Sequence, residues 1–324
     1  MALTYTEMEA ITADYFIADN RKAIDIYFND SFFMDLFMNN KKGLWERPNG
    51  GKKIRVNLSY DGQEGGFYSK ASTLSSDDKE SLNSAFFQWK HVYGNATVHR
   101  LDELENAGAY AEVQLVQAKL EGAQKTARKK IAQQIYSAAG DGALEITGLR
   151  SLCYGAAATA YGGIAENDLV AADGTKPWSA ENTTTVEAIA LSVIRTLRSG
   201  AKISDGPGGK PDIGLTTEAL FNIVSGILQV QQRFTKDTSV KAGFTHLVFE
   251  EMLIAADDYC PSGYLFVLNS QYIGWAIHEQ GYFARTPWGD LLPSGTPAKT
   301  LKIFFDGNLI CSNRKAHKSH SNLS

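Results

Sequence analysis

Cysteine is scarce, and Cys153, Cys260 and Cys311 are odd in number and far apart with no Cys-x-x-Cys pair. That spacing excludes a disulfide framework and gives no zinc ligand set, so buried structural thiols are expected. No stretch approaches the ~18 uncharged apolar residues that a bilayer span requires. The first residues, Met1 to Glu7, lack the basic-then-apolar order of a signal peptide, so the chain is read as intracellular when made. Neither sign of charge dominates: 32 basic against 36 acidic residues leave a net charge of −4, which removes bulk attraction to nucleic acid or anionic lipid.

Catalytic signatures are missing as well. Gly206, Gly208, Gly209 and Lys210 cluster in a loop. A phosphate-binding Walker loop, however, needs a glycine where Ser204 stands and a Ser or Thr where Pro211 stands, and it opens a helix rather than a strand. His278–Glu279 has no second histidine at helical spacing, Asp257–Asp258 has no EF-hand pattern, and His317 and His320 stand in what reads as a polar terminal tail. No Gly-x-Ser-x-Gly elbow or triad order occurs. Glu250–Glu251 reads as a solvated strand edge. No catalytic residue, cofactor or metal is expected.

What the sequence does have is 44% apolar residues with 11% aromatics, the composition of an ordered globular chain. Residues 1–50 carry a crowded run, Ile24, Ile26, Tyr27, Phe28, Phe32, Phe33, Met34, Leu36, Phe37 and Met38, denser than one helix face needs. Either partners cover this arm or it packs into the chain's own core. From Ile54 the period becomes two: Ile54, Val56, Leu58 and Tyr60 alternate with polar residues, which predicts a half-buried strand. A polar Gly- and Ser-rich stretch, residues 61–81, cannot build a core of its own. A second extended run through Phe86, Phe87, Trp89, Val92, Tyr93, Ala96 and Val98 follows, giving a two-stranded excursion that needs cover on its apolar face.

Residues 101–138 turn helical. Tyr110, Val113, Val116, Leu120, Ala123, Ala127, Ile131 and Ile135 recur at spacings of three and four without proline, predicting a helix far longer than the ~11-residue mean. Its other faces carry a basic cluster, Lys125, Arg128, Lys129 and Lys130, read first as a solvated face and second as a phosphate contact. Beyond Gly142 the texture is mixed. A strand is expected at Leu149–Gly155, and a capping box formed by Thr184 and Glu187 is expected to open a helix with Val186, Ile189, Val193 and Leu197 on one stripe. A short strand through Ile213 and Leu215, a helix with Leu220, Val224, Ile227 and Gln231, and a strand-rich finish complete the chain.

This layout resembles the major capsid proteins of tailed double-stranded DNA bacteriophages, which share the Hong Kong 97-like fold. The resemblance is carried by RVNLSYDGQEGGFYSK (55–70), a return strand ending at HRLDELENAG (99–108), PDIGLTTEALFNIV (211–224), HLVFEEMLIAADDYCPSGYLFVLNSQY (246–272) and FDGNLICSNRKAHKSHSNL (305–323). It implies an α+β capsid fold with an N-terminal arm and the start of the peripheral domain (1–50), an extended β-hairpin loop (51–98), a peripheral domain with a spine helix (99–147), an α/β axial domain (148–270) and strands returning to the peripheral domain (271–324). The implied function is a non-enzymatic shell protein assembling as hexamers and pentamers into an icosahedral head around double-stranded DNA. It is assembled in the host cytoplasm and located in the virion. Its implied partners are itself, a portal, a decoration protein and packaged DNA held without sequence preference, with no membrane; many relatives begin with a long scaffolding segment, and because this sequence reaches the loop by residue 54 a separate scaffolding protein or none is expected.

Expected contacts between subunits are Ile54, Val56, Leu58, Tyr60, Phe67, Phe86, Phe87, Trp89, Phe32 and Phe33, and expected DNA-facing residues are Lys125, Arg128, Lys129 and Lys130. Lys70 lies near the loop tip, but nothing singles out partners for a covalent cross-link. Within the same class, an encapsulin-like compartment shares the fold. From other classes, a soluble α/β enzyme would bind an anionic ligand near Gly206–Lys210, and a nucleic-acid-binding module would use the basic helix.

Overall fold

The computed structural model describes residues 31–324 apart from 41, 64, 71–79, 106–108, 155–159, 172–173, 204–208 and 232–245. The strands are, in chain order, β1 Leu44–Glu46, β2 Ile54–Ser59, β3 Leu82–Phe87, β4 Lys90–His99, β5 Glu181–Thr183, β6 Ile213–Thr216, β7 His246–Phe249, β8 Met252–Ala256, β9 Leu265–Leu268, β10 Ile273–Ile277, β11 Ala284–Arg285, β12 Gly289–Asp290, β13 Ala298–Cys311 and β14 Lys318–His320. The longer helices are α1 Arg100–Glu105, α2 Ala109–Ile135, α3 Leu149–Cys153, α4 Leu191–Gly200 and α5 Glu218–Gln231.

Two larger sheets and one hairpin result. In the first sheet the long strand β13 pairs antiparallel with β4 along its length, with β10 at its far end and with the short β11 and β12, while β1 extends β10 in parallel. The second sheet runs β5-β14-β9-β6-β8-β7. Strands β2 and β3 form a separate antiparallel hairpin, in register Ile54 with Phe87 and Ser59 with Leu82. The expected excursion is therefore shorter than residues 51–98: its return run divides at Gln88–Trp89, and Lys90–His99 belongs to the first sheet. The reason lies in the pattern of β4, whose buried Ala96 and Val98 pack with Leu301 and Ile303 of β13 and with the long helix.

Helix α2 follows its expected stripe from Val116 on: Val116, Leu120, Ala123, Ala127, Ile131 and Ile135 are all buried, while the Tyr110 and Val113 side chains lie outside the described ones. It lies hard against β4. A Cβ on Gly94 would stand 2.2 Å from the Ala123 carbonyl oxygen, so only glycine permits this approach. The main core gathers residues from Phe32 to Cys311, with Phe33, Phe37, Trp275 and Phe305 among its largest fully enclosed side chains. A second core lies between α4, α5 and the second sheet. No helix among the described residues is long and apolar enough to cross a membrane.

Several local expectations need correcting. Leu149–Cys153 is a helix, not a strand; Leu149, Leu152 and Cys153 are the i, i+3, i+4 face of one turn, and all are buried. Thr184 and Glu187 cap no helix. Residues up to Ala190 stay extended because Glu187 bridges Leu323, and Ile189 N donates to Ser324 O. The helix then starts at Leu191, with Leu191, Ile194 and Leu197 buried and Val186 left 78% exposed outside it. The polar finish is not a tail, since β14 lies between β5 and β9, and His317 and His320 are buried. The last strand thus joins the second sheet rather than returning with β10 and β13 to the first. Glu250 and Glu251 form the β7–β8 turn with φ of 47° and 72°, and Glu250 accepts from Arg195 and Arg198.

Candidate assembly surface

Alternation along the hairpin decides which of its side chains can meet another molecule. The inward set, Ile54, Val56 and Leu58 of β2 with Ala85 and Phe87 of β3, is buried in the chain's own main core. The outward set pairs Arg55 with Phe86, Asn57 with Ser84 and Ser59 with Leu82. Its polar members are tied to one another: Arg55 Nε donates to Ser84 Oγ at 3.0 Å, and Ser84 Oγ donates to Asn57 Oδ1 at 3.2 Å. The apolar members stay open, with Phe86 43% and Leu82 71% exposed. Past Tyr60 the chain carries Phe67, with its whole side chain in solvent, and the exposed Tyr68.

The expected contact residues therefore divide. Ile54, Val56, Leu58 and Phe87 are not awaiting a neighbour, because the subunit covers them itself. The same holds for Phe32 and Phe33, which follow the N-cap Ser31 into the main core. For these residues the core alternative for the arm is the observed one; Ile24, Ile26, Tyr27 and Phe28 lie outside the described residues. Tyr60 and Trp89 are half-buried, and Trp89 Nε1 donates to Gly51 O at 2.9 Å across the base of the hairpin. Phe67 and Phe86 remain open, and Leu82 and Tyr68, absent from the sequence-based set, join them on the exposed side. Leu82 begins β3 beside a serine-rich stretch, and no alternation signal marks it.

The basic face of α2 divides in the same way. Lys125, Lys129 and Lys130 are exposed. Arg128 is not: it is buried with its guanidinium 5.0 Å from the ring centre of Phe283, which withdraws it from any surface contact with a polyanion.

Sequence reading missed the polar cluster under the C-terminal strand. Arg314 is fully buried and donates from Nε to Leu152 O at 2.7 Å and from Nη2 to Ser151 O at 3.2 Å and Tyr154 O at 2.8 Å, so it closes the end of α3. Its guanidinium also lies over the Tyr161 ring at 5.2 Å. His317, fully buried, accepts at Nδ1 from Asn269 N, and burial pushes its pKa down to about 3. Lys90, also buried, donates from Nζ to the carbonyls of Asp141 and Ala143, and burial lowers its pKa.

Nucleophilic chemistry finds little support in these groups. Burial pushes all three thiols up, Cys153 to about 12, so none is a thiolate near neutrality. Among the described residues no three His, Cys, Asp or Glu side chains gather as a metal site requires. Of the glycine loop, Gly206 and Gly208 lie outside the described residues, while Lys210 faces the Glu251 carboxylate at 3.5 Å and leads through Pro211 and Asp212 into β6.

No protein-family model matches the sequence, and no curated protein matches it. Solved structures do. The capsid asymmetric unit of cyanophage A-1(L) superposes with a TM-score of 0.67 at 14% identity, over 91% of this chain and 93% of that one. The capsid of a native GTA particle gives 0.58 at 12% identity, over 88% and 89%. The holo-SrpI encapsulin complex from Synechococcus elongatus gives 0.54 at 10% identity, over 89% and 87%. Likeness of this extent at such low identity is likeness of fold, and this chain has the fold of phage capsid proteins, which an encapsulin shares.

Proposed function

We propose that this chain is the major building block of an icosahedral phage head, a structural protein that assembles with itself into hexamers and pentamers around double-stranded DNA. The observation that carries the reading is the cyanophage capsid likeness over 91% of the chain. The open apolar side chains of the hairpin support it physically. Phe67, Tyr68, Leu82 and Phe86 are exposed in the single subunit, and burying each against a neighbour gives roughly 1.5–3 kcal/mol. Many such modest contacts per subunit reinforce one another through effective concentration, and heterologous contacts of this kind close into rings.

In this reading β2–β3 and the segment beyond Tyr60 form the extended loop of a Hong Kong 97-like subunit, α2 is the spine of its peripheral domain beside the first sheet, and the second sheet with α4 and α5 is its axial domain. Lys125, Lys129 and Lys130 face the packaged DNA without sequence preference. The protein resides in the virion after assembly in the host cytoplasm, with a scaffolding protein, a portal and a decoration protein as partners.

Sedimentation and electron microscopy of the purified full chain test this reading. Megadalton shells or ring-shaped capsomers are expected, and a monodisperse single subunit at assembly concentrations overturns it. The encapsulin likeness at a TM-score of 0.54 supports a second reading, a compartment shell. Shells holding a co-purified protein cargo and no genome favour the second; shells holding nuclease-protected DNA favour the first.

A further inference from the structure

The hairpin β2–β3 packs its inward face on the main core, and its backbone is tied to the body at one well-defined place. Phe86 N, on the free edge of β3, donates to Gly162 O at 2.8 Å, which among the described residues is the one backbone-to-backbone hydrogen bond from hairpin to body. Gly162 and Gly163 are the centre of a tight turn in which Tyr161 and Ile164 exchange backbone hydrogen bonds. Both glycines have φ near that of a type I′ turn, +63° and +77°. The turn is held from below. Tyr161 is buried, packs edge-on against Phe87 at 5.3 Å, and accepts from Trp178 Nε1 at its carbonyl. Asp141 Oδ2 accepts from Gly163 N at 3.0 Å, and the Asp141 and Ala143 carbonyls are in turn gripped by Lys90 at the start of β4. The first sheet, the 141–143 loop, the turn and the hairpin are thus linked in a closed chain of contacts, which starts at Phe86 in β3 and ends at Lys90 in β4.

The fit at Gly162 is tight where the hairpin lies. A Cβ there would stand 2.9 Å from Ala85 Cβ and 3.1 Å from Phe87 Cζ, whereas a Cβ on Gly163 would meet nothing within 4 Å. We propose that the Gly162–Gly163 turn is a seat that sets the angle at which the hairpin leaves the subunit, and through that angle the curvature of the shell. The inference rests on the shell reading above. Asp141 is a positioning residue of this seat, since its carboxylate acts on the hairpin through the backbone amides of the turn.

The two glycines supply their own control, because Gly162→Ala and Gly163→Ala impose similar backbone strain and only the first obstructs the hairpin. Hydrogen exchange of the full-length chain, read on peptides covering 54–59 and 82–87, is expected to quicken about tenfold in Gly162→Ala and to stay within about twofold of wild type in Gly163→Ala. Electron microscopy is expected to show aberrant or mixed particle diameters for Gly162→Ala and a uniform wild-type diameter for Gly163→Ala. Adding Ala85→Gly to Gly162→Ala relieves the shorter contact and is expected to restore protection in part. If Gly162→Ala does not fold, Asp141→Ala provides the same two readouts, with Asp141→Asn, which keeps the acceptor, as the rescue. Equal exchange in the two glycine variants overturns the seat, and altered exchange with unchanged particle diameter overturns its role in curvature. Wild-type protein that forms no particles overturns the shell reading and leaves the exchange result standing.

Discussion

Arg314 is fully buried. With three carbonyls of α3 and its flank as acceptors and the Tyr161 ring beneath it, the guanidinium is held by hydrogen bonds that leave no surface trace. Charged donors to carbonyls are worth more than neutral ones, and losing them strands the acceptors. Three residues on, His317 makes the opposite demand, since its Nδ1 must be unprotonated to accept from Asn269 N. Its folded pKa, about 3 against 6.5, lies below the unfolded value, so the unfolded chain binds the extra proton. The stabilisation is complete above pH 6.5 and is lost as pH falls toward 3. Asp141 and Asp257, whose pKa values burial raises, bias stability the other way, so the histidine must be isolated by comparison. Between pH 7 and pH 4.5 the urea stability of the wild type is expected to fall by about 2–3 kcal/mol more than that of His317→Gln. Parallel pH profiles would refute this role. Neither residue was legible: within SNRKAHKSH every position looks like solvent-facing tail, because composition reports polarity and not the carbonyls waiting on another segment.

At the scale of elements, strict periodicity was legible wherever one face alone is buried. The α2 stripe and the β2 alternation both read correctly because each period has a single interpretation. What failed was the inference from an apolar face to a missing partner. The inward face of β2–β3 packs on Tyr161 and the main core, a contact between segments about 75 residues apart that no local pattern announces. The short helix α3 was misread for a related reason: five residues are too few to separate period 3.6 from a buried strand. Two classes of hairpin substitution should therefore behave differently. Phe87→Ala removes a fully buried ring and is expected to cost about 3–5 kcal/mol of subunit stability, measured by denaturant unfolding. Phe67→Ser combined with Leu82→Ser changes only exposed side chains. It is expected to leave stability within about 0.5 kcal/mol of wild type while sharply lowering the particle yield seen in sedimentation. A double variant that assembles normally would move the assembly surface away from the hairpin.

For the whole molecule, the two sheets are stitched by strands distant in sequence, β4 with β13 and β5 with β14. Layout at this scale was legible in outline: a long helix between a hairpin and a mixed segment with a strand-rich finish is an order few folds share. The crossing of the last strand into the second sheet was not legible, because pairing partners are set by tertiary closure. Removing residues 318–324 opens the edges of β9 and β5 and deletes the buried Ser319, His320 and Leu323. The expected result is the loss of on the order of 5 kcal/mol, comparable to a domain's total stability, seen as insoluble product and loss of protease resistance. A soluble, protease-resistant truncate would show that the second sheet closes without this strand.

The placement of β14 also governs timing during synthesis. Residues 318–320 fill a slot between two strands made long before them, so the second sheet cannot close until that stretch has emerged from the ribosomal exit tunnel.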